Sequence, residues 1–130
     1  MKKRVTGIGG IFFKGKNPKA MGDWYAKHLG VELEHDMPMS VFRWLEKDKP
    51  DVEGSTVWSV FPDDTEYFGK DGSDFMVNYR VEDLDALVAV LKQEGVTMHG
   101  DIQDSEYGRF AWISDPEGNR IELWEAPDKD

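Results

Sequence analysis

The side chains able to do chemistry in this sequence are few. In DPEGNRIELWE, Asp115 to Glu125, one carboxylate, Glu122, stands between apolar Ile121 and Leu123. On a strand, alternation turns Glu122 to the face opposite those two. A carboxylate so placed could ligate a divalent cation, or act as a general base if buried and unpaired. It could also pair with a cationic ligand, or serve structure if neutralised by Arg80 or Arg120. The three histidines are expected to serve structure or face water, as lone histidines usually do. His28 closes a helical pattern, where it suits the dipole. His99 alternates with Val96 and Met98 and so points away from their buried side, whereas His35 follows Val31 and Leu33 in register and could face inward. Tyr107 and Arg109, in SEYGRF, read as loop and strand residues, with the rim of an opening as the alternative. With no cysteine in the chain, disulfides, thiol catalysis and zinc–thiolate sites are excluded.

A chain of 130 residues suits one domain with a real core. The net charge of −10 argues against a nucleic-acid partner and favours a cationic small ligand, although such acidity usually means only solubility. No apolar run approaches a membrane span, and MKKRVTGIGG lacks a signal peptide's apolar stretch, so a cytoplasmic protein with no membrane partner is expected.

The elements that must position these side chains are written twice. Asn17-Pro18 caps a helix carrying Met21, Trp24, Tyr25 and His28, weakened by Gly22 and stopped by Gly30. Asp83 caps a second, striped by Leu84, Leu87, Val88 and Leu91 and stopped by Gly95. Strands precede each helix, at Ile11–Phe13 and Phe75–Val81. Alternating segments follow each, at Val31–Glu34 and Val96–His99. FRWL (42–45) then matches FAWI (110–113), and GSTVWSVFP (54–62) matches GNRIELWEA (118–126). Asp115-Pro116-Glu117-Gly118 reads as a type I turn joining the last two strands. The pattern predicts an α+β fold of two tandem βαβββ modules, about 7–62 and 72–127, joined by a polar linker over 62–74.

This duplicated order, ending in DPEGNRIELWE, resembles the vicinal oxygen chelate superfamily, which includes glyoxalase I, extradiol dioxygenases, fosfomycin-resistance enzymes and bleomycin-binding proteins. The resemblance runs from about Val5 to Pro127. It implies a curled mixed sheet around a cavity and a homodimer. It also implies, in metal-dependent members, four His or Glu ligands at the first and last strand of each module. Those positions fall here on Gly10, Trp58, Met76 and Glu122. Glycine and tryptophan cannot ligate, and a thioether is a poor partner for hard divalent ions. No metal and no cofactor are therefore expected.

If those positions face the cavity, so do their i±2 neighbours. The inward set then includes Phe12, Trp58, Met76, Asn78, Arg80, Arg120, Glu122 and Trp124, an aromatic surface with a few polar groups, as small-molecule sites have. The function expected is metal-free binding of a small molecule, in the manner of the bleomycin-binding branch. The alternative is an enzyme, a lyase or isomerase of glyoxalase type or a dioxygenase-like protein. It would use Glu122 with atypical metal ligands or as a general base.

Overall fold

The computed structural model describes residues 4–69 and 73–127; the first residue of the expected second module and residues 70–72 of the expected linker lie outside them. Seven strands of mixed direction and two helices make an α+β fold. They are β1 (Val5–Gly15), α1 (Pro18–Leu29), β2 (Met39–Leu45), β3 (Glu53–Pro62), β4 (Phe75–Val81), α2 (Leu84–Gln93), β5 (Gln103–Ser105), β6 (Gly108–Ser114) and β7 (Arg120–Glu125). Contacts divide the chain into two compact units, Gly10–Met76 and Met1–Gly9 with Val77–Asp130. None of the helices is long and apolar enough to cross a membrane.

In the unit Gly10–Met76 the strand order is β2, β3, then the second half of β1. β2 pairs antiparallel with β3, and β1 runs parallel to it. Both expected ends of α1 are present. Asn17 Oδ1 accepts from the Ala20 amide, and Gly30 stops the helix at φ 69°, a left-handed turn that glycine takes without strain. Gly22 has a packing reason for its cost to the helix, because a side chain there would press on Pro38, at 3.1 Å from its Cα and 3.2 Å from its Cβ.

One expectation fails in this unit. Val31–Glu34 forms no strand. The chain instead turns at His35 and Asp36, both with positive φ, and Glu34 N–H bonds only across that turn, to Met39 O. The exposed His35 belongs to the turn rather than to an inward face. The linker also contributes aromatic packing. Phe68 is 1% exposed and meets Phe61 edge-on, while Phe61 stacks on Tyr67 and touches Phe12.

The other unit is ordered as the first half of β1, then β4, β7, β6 and β5. β4 and β7 are parallel, whereas β7, β6 and β5 are antiparallel in turn. One face carries the core, where Leu84, Leu87, Val88 and Leu91 of α2 pack with Val81, Ala111, Ile113 and Leu123. Two carboxylates hold the start of α2. Asp83 accepts from the Ala86 amide and Glu125 from the Leu84 amide, so both favour the positive end of the helix. Val96 and Met98 join this core as their alternation requires. However, only Met98 bridges β6, and the first strand after α2 is the polar Gln103–Ser105.

Arg109 also belongs to the helix side. It binds Asp85 of α2 in a fork at 2.6 and 3.0 Å and Asp104 at 2.7 Å. The hydrogen bonds from Arg109 hold the Asp85 carboxyl below its ordinary range. Tyr107 is exposed, and its carbonyl accepts from Trp124 Nε1. The turn before β7 closes as expected, with Gly118 N–H bonded to Asp115 O. Asp115 also accepts from Asn119 and from the Glu117 amide, and the Asn119 side chain is the main reason its carboxyl lies below the usual range.

Candidate functional site

β7 uses its alternation twice. Ile121, Leu123 and Glu125 serve the helix side, and Arg120, Glu122 and Trp124 lie on the other face. The parallel register sets Asn78 beside Glu122 and Arg80 beside Trp124. The antiparallel register sets Trp112 against Glu122, Phe110 against Trp124 and Ser114 against Arg120. Three strands thus bring together five of the expected residues, Asn78, Arg80, Arg120, Glu122 and Trp124. They add two aromatics that the sequence reading had not assigned to the site, Phe110 and Trp112.

Glu122 is 1% exposed. Its Oε1 accepts from Asn78 Nδ2 at 2.6 Å, and its Oε2 from Trp112 Nε1 at 2.8 Å. Such bonds to a charged acceptor are among the stronger ones, and they fix both neighbours. Asn78 is 2% exposed, and its Oδ1 has no hydrogen-bond partner among the described residues. Gly9 makes this crowding possible. A Cβ there would collide with Asn78 Oδ1 and come within 2.9 Å of Trp124 Cε3 and 3.0 Å of Arg80 Cγ. Above Glu122 and Asn78 lies a half-buried aromatic row. Phe110 is parallel to Trp124 at 6.2 Å and to Trp112 at 6.4 Å, and the Arg80 guanidinium covers Trp124 at 4.8 Å.

The remaining expected residues belong to the other unit. Trp58 pairs with Ile11 and packs with Phe13 and Tyr25, on the side where α1 sits. It therefore faces opposite to its expected inward position. The parallel registers, Phe12 beside Ser59 and Asn78 beside Glu122, make Ser59 and not Trp58 the positional counterpart of Glu122. A one-residue slip in matching β3 to β7 turns every side chain to the wrong face. Phe12 lies within the aromatic cluster of its own unit, 8% exposed, and Met76 is 1% exposed.

The four positions implied for a metal do not fit one. The space that a side chain at Gly10 would need holds the Phe12 ring, 2.6 Å from an added Cβ. Trp58 and Met76 offer no suitable donor, and both Glu122 oxygens already accept hydrogen bonds. Among the described residues no three His, Asp or Glu side chains converge as a cation would require. Two grooves lie in the unit Gly10–Met76. One, of about 570 Å³, runs beside Trp24 and Tyr25 of α1; the other, of about 430 Å³, lies between Leu29–Glu34 and Ser40–Arg43. Neither holds an expected site residue.

The arrangement has relatives of known structure. Methylmalonyl-CoA epimerase from Mycobacterium tuberculosis is 21% identical, with 98% of this chain and 93% of that one covered at a TM-score of 0.65. A Streptomyces coelicolor methylmalonyl-CoA epimerase variant in complex with 2-nitronate-propionyl-CoA is 16% identical over 95% and 99%, at 0.67. A glyoxalase/bleomycin resistance protein/dioxygenase superfamily member from Vibrio splendidus is 10% identical over 91% and 97%, at 0.59. At these identities the likeness defines the class of fold, the glyoxalase-like α+β domain, and no activity. No curated protein matches the sequence. Residues 8–123 match the family model of the Glyoxalase/Bleomycin resistance protein/Dioxygenase superfamily, and the chain belongs to that family.

Proposed function

We propose that this chain binds a small molecule carrying a flat ring, without a metal ion, on the β4–β7–β6 face opposite α2. The observation that carries the proposal is the Asn78–Glu122–Trp112 bridge beneath the row Trp112–Phe110–Trp124. A buried carboxylate costs several kcal/mol in desolvation unless its hydrogen bonds are good. An apolar pair would fill the same space at lower cost. The bridge nevertheless holds Trp112 in a fixed orientation, and rigid aromatic walls with few polar groups are what small-molecule sites use. In this reading Glu122 orients the surface, while Trp124 and Phe110 meet the ligand. A homodimer, implied by the resemblance, is part of the proposal.

The test is a thermal-shift screen of small aromatic compounds on protein dialysed against a chelator. Added zinc, nickel or manganese should leave the melting temperature unchanged. A compound at about 100 times its Kd should stabilise the protein by about 2.7 kcal/mol. That gain should vanish in Trp124→Ala. A metal-dependent rise in melting temperature, or hits indifferent to Trp124→Ala, counts against the reading.

A second reading rests on the burial of Glu122, which surrounds a potential general base with aromatic side chains. It makes the protein an isomerase or lyase that moves a proton at Glu122. It requires turnover of a bound compound that Glu122→Gln abolishes without weakening binding.

A further inference from the structure

The proposed face has a second polar corner, at its β6 end, that the binding reading does not use. Arg120 is half-buried, on the same face as Glu122 and directly across from Ser114. Among the described residues its side chain makes no hydrogen bond or ion pair; in particular it does not neutralise Glu122. Ser114 hydrogen-bonds to His99 Nε2. The backbone places His99 there, since its N–H bonds to Trp112 O while Ser114 N–H bonds to Thr97 O, which continues the pairing of Met98 with Ile113. Because Met98 faces the α2 core, His99 is turned to the open face. The pairing therefore brings Arg120, whose donors are unused among the described residues, to the same edge of the face as the Ser114 hydroxyl and the His99 imidazole, with His99 paired to Trp112 through its backbone.

Resting on the binding reading, we infer that this corner receives an anionic group of the ligand, a carboxylate or a phosphate, while the ring lies on Trp112, Phe110 and Trp124. A guanidinium matches either oxyanion with two parallel hydrogen bonds. The Ser114 hydroxyl can donate a third when His99 Nε2 carries the proton and donates to the Ser114 oxygen. The chain's net charge of −10 points the other way, toward cations. Exposed charges beyond about 8 Å are largely screened at physiological salt, and the nearby Glu122 oxygens already accept from Asn78 and Trp112, so Arg120 sets the preference at this corner.

Four probes share a ring and differ in charge: phenyl phosphate, phenylacetate, benzyl alcohol and phenethylamine. Their binding to the whole protein can be followed by the indole N–H signals of 15N-labelled tryptophan. Phenyl phosphate or phenylacetate should bind about tenfold more tightly than benzyl alcohol, and phenethylamine the least. Arg120→Gln should remove that tenfold preference by weakening the two anions relative to benzyl alcohol. Arg120→Lys, which keeps charge but not the fork, should retain part of it, and unchanged melting temperatures would show that both variants fold. If benzyl alcohol or phenethylamine binds as tightly as the anions, or Arg120→Gln keeps the preference, the anion assignment is overturned while the ring-binding reading stands. If no probe moves the Trp112 or Trp124 signals, both are overturned.

Discussion

Glu122→Ala is expected to destabilise the protein by about 3 kcal/mol and to lower its melting temperature by roughly 10 °C. The carboxylate is buried, and its removal leaves Asn78 Nδ2 and Trp112 Nε1 as donors without acceptors beside a new cavity. Glu122→Gln should behave differently, costing no more than about 1 kcal/mol. The new amide oxygen can still accept from Trp112. Its NH2 would face Asn78 Nδ2, but the Asn78 amide can turn over. That presents Oδ1 to the new donor and removes the oxygen from the place where it now has no partner. Thermal melts of the two variants distinguish a need for shape and hydrogen bonding from a need for charge. Equal, large losses would mean that the negative charge itself holds this face together.

Gly9→Ala should be a disruptive single-methyl change on the face, costing about 2 kcal/mol. The added carbon would meet three side chains that cannot easily retreat. Asn78 is held by Glu122, Trp124 by Phe110 and by Tyr107 O, and Arg80 lies over Trp124. Gly30→Ala is a useful contrast. Its φ is also demanding, but nothing lies within 4 Å, so only backbone strain of about 1 kcal/mol is expected. In Gly9→Ala the Trp124 indole signal should move as well, because the ring must shift to admit the methyl. A melting temperature equal to that of the unaltered chain, with that signal in place, would contradict the tight packing described for Asn78, Arg80 and Trp124.

Much of this face could be read from alternation. Ile121 and Leu123 are apolar for the α2 core, so Glu122, Arg120 and Trp124 had to face away, and the same logic oriented Asn78 and Arg80. Both helix starts were equally legible, because Asn17 and Asp83 meet local requirements. Properties set by pairing between distant strands were not. Which β3 residue matches Glu122 depends on register, and lining up Gly54 with Gly118 chose Trp58 where the parallel pairing chooses Ser59. Phe68 lies in a polar, glycine-bearing stretch, and local sequence gives no sign that it returns to pack on Phe61. The strand Gln103–Ser105 has no apolar residue to mark it and exists because β6 offers an edge. For His99 a signal was present. Val96 and Met98 turned it away from the core, but away from the core meant toward Ser114 and not simply toward water.

The same tryptophans allow a direct test of where ligands bind. Four of the five are placed to report separately: Trp112 and Trp124 on the proposed face, Trp24 beside the 570 Å³ groove and Trp58 beneath α1. The measurement is a screen of small ring-bearing compounds against 15N-tryptophan-labelled, metal-free protein, with signals assigned by single Trp→Phe variants. The expected result is that binding compounds shift the Trp112 and Trp124 indole signals in a saturable way and leave Trp24 and Trp58 in place. Shifts confined to Trp24, or to Trp24 and Trp58, would locate binding at α1 and contradict the assignment of the β4–β7–β6 face as the functional site.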